Sequence, residues 1–213
     1  CPPDHAGRAA RRRQPVAETM LRPPTVLHWP AAFDTAQNLL IVAVNTKNTP
    51  IRESARLAVR RILRDILGDV ELISVPGQPL RLAGQDNPSG LSISHENGLS
   101  LLAIHRAGPV GIDLLRPPES SHWQTEIPAL ANDYLGPKRA GQIAALPPNE
   151  QLTHFAQAWT EHEARLNCRK LGLEEWSAAL EAHLAPCRVQ ALDLPAGYLG
   201  AVATLTAAEN PTA

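Results

Sequence analysis

The chain has 213 residues, 44% of them apolar and 19% charged, so it is long enough to bury a substantial core. Its formal net charge of −1 excludes a protein that attracts nucleic acid or an anionic membrane through a strong overall field. It also lacks the roughly 18 consecutive apolar residues of a membrane span, and its three cysteines lack metal-site spacing. We therefore expect a cytoplasmic protein with reduced thiols and with no nucleic-acid or membrane partner.

Residues 1–19 differ from the rest of the chain because they combine four arginines with three prolines and show no apolar periodicity. This composition predicts a disordered N-terminal extension, and residues 209–213 are predicted to be a tail. A nucleic-acid-binding arm is the alternative interpretation of the arginines. The neutral charge of the remaining chain and its aromatic content of 4% argue against that alternative.

The first half of the foldable region predicts a strand, a long helix and further strands. Leu39 to Val44 is a continuous apolar run of strand length, and Thr49 is a candidate helix cap. From Ile51 to Leu67 the apolar residues fall on one helical stripe, and Gly68 is placed to end the helix. Four later segments alternate or cluster apolar residues between turn residues and are expected to be strands of one sheet: Val70 to Val75, Gly90 to Ser94, Ser100 to His105 and Val110 to Leu114.

The second half repeats the order of helices followed by strands. We expect helical material from Trp123 to Leu146 and a longer helix from Asn149 to about Leu171. Strands are expected near Arg188 to Leu194 and from Leu199 to Thr206. The pattern predicts an α+β fold with two similar α/β subdomains, 20–110 and 111–208.

Three short motifs follow one another along the chain. The first, Leu91 to Gly98, is a strand ending in Ser-His before a glycine turn; the others are Gly111-Ile112-Asp113 and the helical segment Trp159 to Ala164. As an ordered set they resemble the 4′-phosphopantetheinyl transferase superfamily, in its larger two-halved type, and the likeness covers about residues 38–205. The resemblance implies two subdomains related by pseudo-two-fold symmetry. It also implies transfer of 4′-phosphopantetheine from coenzyme A to a serine of an acyl or peptidyl carrier protein.

The resemblance also assigns site residues. Attack on the diphosphate of coenzyme A concentrates negative charge, so Mg²⁺ held by carboxylates is the expected electrostatic aid. Asp113 and Glu163 would hold Mg²⁺ and, with His162, would be the catalytic residues; Glu163 or a bound water would be the base. Five residues would bind coenzyme A: Arg52, Arg56, Ser94, His95 and Lys170. Taken singly, a strand-end aspartate is more often a turn residue and a helix glutamate is usually solvated.

Four residues depart from the family pattern: Gln78, Leu115, His162 and Asn167. Leu115 stands where a second carboxylate is common, and the other three replace lysines. Lys170, seven residues after Glu163 on the predicted helix, is expected to supply the missing charge. The departures leave open a degenerate family member that binds coenzyme A or a carrier protein without transfer. In either case we expect a monomer.

Overall fold

The computed structural model describes residues 24–29, 37–47, 52–68, 72–73, 81–82, 90–117 and 123–205. The predicted extension 1–19 and tail 209–213 lie outside these ranges, as do Thr49 and Gln78. The protein is a mixed α+β structure, as the sequence predicts. In these ranges, every helix is too short or too polar to cross a membrane.

The elements follow the order along the chain that the sequence predicts, with additions. The strands are β1 Val26–His28, β2 Leu39–Asn45, β3 Leu72–Ile73, β4 Arg81–Leu82, β5 Gly90–Glu96, β6 Leu99–His105, β7 Val110–Leu115, β8 Cys187–Ala191 and β9 Leu199–Leu205. The helices are α1 Arg52–Leu67, α2 Trp123–Leu130, α3 Gly136–Ala144, α4 Pro148–Cys168 and α5 Ala178–Leu184, and a π-helical turn, Ala131–Leu135, joins α2 to α3.

The strands form two main sheets instead of the single sheet that we predicted for the segments between residues 70 and 114. The first sheet has the order β1-β2-β6-β5 and is antiparallel except for the parallel pair β1 and β2. The second, β7-β9-β8, is antiparallel throughout, and β3 pairs separately with β4. The prediction of one sheet was wrong because an apolar pattern indicates which face of a strand is buried and does not identify its hydrogen-bonding partner.

Helix α1 confirms the predicted amphipathic helix. Its stripe Val59, Ile62, Leu63 and Ile66 is buried against the face of β2 and β6 that contains Val42 and Leu102, among others. Gly68 follows the helix with a φ of 81°, and its N–H donates to the carbonyl of Arg64 at 2.8 Å. Since this left-handed conformation is strained for residues with a Cβ, the glycine ends the helix as predicted.

The two sheets pack face to face, with α1 and α4 on their outer faces. Ile41 and Leu101 of the first sheet meet Ile112 and Val202 of the second in an apolar layer. On the far side of the second sheet, small side chains let α4 approach closely: Ala164, Cys168, Cys187, Ala201 and Ala203. The continuous apolar run of β2 is therefore explained by burial on both faces.

Three elements, α5, β1 and the two-residue strand β4, were not predicted, and one helix is shorter than predicted. Helix α5 begins after Ser177, whose Oγ accepts a hydrogen bond from the N–H of Leu180 at 3.1 Å. Serine is a common helix N-cap residue, so the sequence contained a signal from which α5 could have been predicted. Strand β1 has only three residues and offers too short a pattern to identify. Helix α4 ends at Cys168, before the predicted end near Leu171.

Candidate active site

A glycine in β7 determines how closely α4 lies against the second sheet. A Cβ on Gly111 would overlap the carbonyl oxygen of Ala164 and the amide nitrogen of Cys168, both in the backbone of α4. Asn167 adds a direct tie, because its Nδ2 donates to the carbonyl of Ile112 at 3.1 Å. The Asn167 side chain therefore ties α4 to β7.

Asp113 lies two residues after Gly111 and so shares the β7 face that α4 covers. Burial and the negative charge of Glu163 raise the pKa of Asp113 from 3.8 to about 7, while hydrogen bonds from the Leu114 N–H and the Ser94 hydroxyl act in the opposite direction. Burial also raises the pKa of Glu163. The structure thus brings together the predicted residues Asp113 and Glu163 as two interacting, largely buried acids, which we call the carboxylate pair.

Serine hydroxyls join β5, the edge of the first sheet, to β7, the edge of the second. Ser92 Oγ accepts from the N–H of Ile112 at 3.0 Å, and Ser94 Oγ accepts from the N–H of Leu114 at 3.1 Å. Ser94 Oγ also donates to Asp113 Oδ1 at 3.0 Å. We call these contacts the serine bridge; they connect the two sheets at the candidate site.

Glu96 is a residue that the sequence analysis missed. It continues the alternation of Ser92 and Ser94 along β5, and its negative charge contributes to the raised pKa of Asp113. The period of two along a strand was the available signal, because it places residues 92, 94 and 96 on one face.

His95 lies on the opposite face of β5 from Ser94. Its Nδ1 is 2.8 Å from the hydroxyl of Ser100, its cross-strand partner, and Ser100 in turn pairs with Val44, which packs against α1. Asn45 and Glu96, the last residues of β2 and β5, both pair with Leu99 of β6. His95 therefore lies near the end of β5, on the face of the first sheet that α1 covers.

The predicted arginines lie on α1. Arg56 is exposed, and the side chain of Arg52 lies outside the described part of the structure. The backbone of both residues lies in the first turns of α1. No described contact joins them to the carboxylate pair.

His162 is adjacent to Glu163 but is turned about 100° around α4. With Ala158, Glu161 and Arg165 it lines a cavity of about 500 Å³ between α3, α4 and the segment that includes Trp176. His162 is 6% exposed, its Nε2 has no hydrogen-bond partner among the described residues, and burial together with Arg165 lowers its pKa. The lowered pKa favours the neutral imidazole, and the side chain lines this cavity.

Lys170 does not lie on the helical face of Glu163, since α4 ends at Cys168. It is exposed and adopts a left-handed conformation with a φ of 59°. The N–H of the next residue, Leu171, donates to the carbonyl of Leu166 at 2.9 Å and closes the turn. The spacing argument for Lys170 therefore fails at the helix end, and its role in coenzyme A binding stays a prediction.

Replacing Lys170 by glycine is expected to raise the free energy of unfolding by about 1 kcal/mol, because glycine adopts the left-handed conformation without steric cost. Urea denaturation followed by circular dichroism measures this. Lys170→Ala is the matched control: it removes the same charge and keeps the Cβ, so its stability should stay within about 0.5 kcal/mol of the wild type. Equal stability of the two variants would contradict the strained turn.

The two cysteines in the described part of the chain, Cys168 and Cys187, are buried and form no disulfide. A hydrogen bond to Cys187 and burial raise the pKa of the Cys168 thiol. A thiol in such surroundings is a poor nucleophile, and we assign it to the packing of α4 on the second sheet.

The carboxylate pair suits a small divalent cation by its chemistry. Carboxylate oxygens are the ligands that Mg²⁺ prefers, and a cation would relieve the repulsion that raises the pKa of Asp113. Among the residues that the structure describes, no group of three or more histidine, cysteine, aspartate or glutamate side chains is placed to hold a metal ion. Since Mg²⁺ commonly keeps several waters, two carboxylates fit a site completed by water and substrate oxygens.

Comparison with known proteins adds no residue to this site. No protein-family model matches the chain, and no curated protein matches its sequence.

Proposed function

We propose that this chain is a 4′-phosphopantetheinyl transferase of the larger two-halved type. It would transfer 4′-phosphopantetheine from coenzyme A to a serine of an acyl or peptidyl carrier protein. The observation that supports the proposal is the carboxylate pair: Asp113 of one motif interacts with Glu163 of another, and Ser94 of the third donates to Asp113. Three motifs that are separate in sequence thus meet at one place.

The proposal includes the fold relationship that the resemblance implies. Residues 20–110 and 111–208 would be two related subdomains about a pseudo-two-fold axis. In support, each half packs its longest described helix on an antiparallel part of its own sheet: α1 covers β2 and β6, and α4 covers β7 and β9. Coenzyme A would lie where the two halves meet, at the serine bridge.

In the reaction, Glu163 accepts the proton of the carrier's serine hydroxyl, a role that its raised pKa favours. The serine oxygen then bonds to the β-phosphorus, the bond from that phosphorus to the bridging oxygen breaks, and 3′,5′-adenosine bisphosphate leaves. His95, Arg52 and Arg56 bind the phosphates of coenzyme A. Asp113 and Glu163 would hold Mg²⁺, which would supply positive charge to offset that of the diphosphate.

Glu163→Gln is expected to slow the transfer at least about 100-fold, because the amide cannot accept the proton. The protein is incubated with coenzyme A, Mg²⁺ and several apo carrier proteins, and mass spectrometry follows the phosphopantetheine increment on the carrier serine. Glu150→Gln is the matched control, since Glu150 lies exposed on the same helix; its rate should stay within about twofold of the wild type. Chelation of Mg²⁺ should abolish the increment.

A binding protein without catalysis is the second candidate. It is favoured by Asn167 and His162, since the first is engaged with the backbone of β7 and the second faces the cavity instead of supplying a permanent cation. Absence of the increment on every carrier, with coenzyme A binding that is unaffected by Mg²⁺, would contradict transfer and support this candidate.

A further inference from the structure

The hydroxyl of Ser94 gives its single proton to a carboxylate. A serine hydroxyl has one hydrogen to donate and two lone pairs to accept. Here the oxygen accepts from the N–H of Leu114 at 3.1 Å and its hydrogen is directed to Asp113 Oδ1 at 3.0 Å. In this arrangement no proton of Ser94 remains for a phosphate oxygen, and phosphate recognition requires donors.

We propose that Ser94 is a positioning residue for Asp113 and does not contact coenzyme A. The inference rests on the proposed function, and it revises the role in coenzyme A binding that the family resemblance implies for this serine. The bond from Leu114 fixes the hydroxyl relative to β7, and the hydroxyl then fixes the orientation of the carboxylate on the same strand. Asp113 is thereby held ready for a cation by a residue of the other sheet.

Ser92 provides an internal comparison. It lies two residues earlier on the same face of β5, and its hydroxyl accepts from the N–H of Ile112 at 3.0 Å. The bond between sheets is therefore the same as that of Ser94. The difference is the carboxylate, because only Ser94 of this pair donates to Asp113. Substituting each serine by alanine separates the joining of the sheets from the positioning of Asp113.

The first experiment measures two binding constants by calorimetry, that of Mg²⁺ alone and that of coenzyme A without metal. For Ser94→Ala we expect the Mg²⁺ dissociation constant to rise about 10- to 100-fold, as for the loss of a hydrogen bond to a charged group, and the coenzyme A constant to change by less than about twofold. Ser92→Ala should change neither constant by more than about twofold. Ser94→Thr keeps the hydroxyl and should recover most of the Mg²⁺ affinity.

Two results of this experiment would overturn the proposal. Coenzyme A affinity that falls about fivefold or more in Ser94→Ala, with Mg²⁺ affinity intact, would make Ser94 a ligand contact. If Ser92→Ala lost as much Mg²⁺ affinity as Ser94→Ala, Ser94 would act only by connecting the two sheets and not by positioning Asp113. Failure of the wild type to modify any carrier protein would count against the proposed function and leave both binding measurements valid.

A second experiment needs no ligand. Urea unfolding of Ser94→Ala, Asp113→Ala and the double variant gives the coupling between the two side chains. The effect of the double variant on the unfolding equilibrium constant should differ from the product of the two single effects by at least about fivefold. In the same cycle with Ser92→Ala in place of Ser94→Ala, this difference should be less than about twofold. A Ser94 cycle as weak as the Ser92 cycle would show that the hydroxyl does not hold the carboxylate, even if the protein bound neither probe.

Discussion

Replacing Gly111 by alanine is expected to lower the free energy of unfolding by at least about 3 kcal/mol, at the upper end of overpacking costs. The added Cβ would overlap backbone atoms of Ala164 and Cys168, which cannot move aside as a flexible side chain can. Helix α4 must therefore shift off β7, and Glu163 shifts with it. Urea denaturation measures the loss of stability, and the carrier assay should show loss of transfer.

Gly141→Ala is the matched control for this substitution. Gly141 lies inside α3, is exposed, and has no atom within 4 Å of the position that a Cβ would take. Alanine there is expected to raise the free energy of unfolding by about 0.5–1 kcal/mol through its higher helix propensity. If Gly111→Ala stayed within about 1 kcal/mol of the wild type, the close crossing of α4 over β7 would be refuted.

Asp113→Asn is expected to make the protein more stable at about pH 8 by roughly 2–4 kcal/mol. The folded state raises the pKa of Asp113 from 3.8 to about 7, so the native protein binds this proton more tightly than the unfolded chain. The cost of ionising the buried carboxylate therefore grows as the pH rises from about 4 and is complete above about 7. Asparagine removes the ionisation and keeps an oxygen that can accept from Ser94.

The free energy of unfolding is measured with urea from about pH 4 to about pH 8. The difference in this free energy between Asp113→Asn and the wild type should vanish near about pH 4. Asp193→Asn, in an exposed loop, is the control and should follow the wild type throughout. Stability differences for Asp113→Asn that do not depend on pH would contradict the raised pKa. Under the proposed function, the same variant should slow transfer at least about 1000-fold, because it removes a carboxylate that we propose as a Mg²⁺ ligand.

The short motifs predicted Asp113 and Glu163 as the two acids of the candidate site. The periodicity of apolar residues predicted the strand and the helix on which they lie. Gly-Ile-Asp predicted Asp113 at the end of an apolar strand, whereas it lies inside β7, and the periodicity of the long helix placed Glu163 on α4. Why the motif begins with glycine could not be predicted. The reason is the approach of α4, a contact between residues more than fifty positions apart.

The arrangement of the two sheets was beyond the sequence pattern. Alternation along β5 indicated that Ser92 and Ser94 share a face, but nothing in the pattern indicated that this face meets β7. The helical spacing of Lys170 failed for a related reason, because the end of α4 is determined by a left-handed turn at a residue that gives no sequence signal for one.

The serine bridge has a consequence for residues far from any substrate. It connects the sheets through side-chain hydroxyls, whereas each sheet is held internally by a backbone ladder. The distance from Ser94 to Asp113 therefore depends on how the apolar layer between the sheets is filled, by Ile41, Leu101 and Ile112 among others. For the transfer that we propose, the filling of this layer becomes a determinant of rate, and volume-conserving pairs of core substitutions should change that rate with the same acidic residues in place.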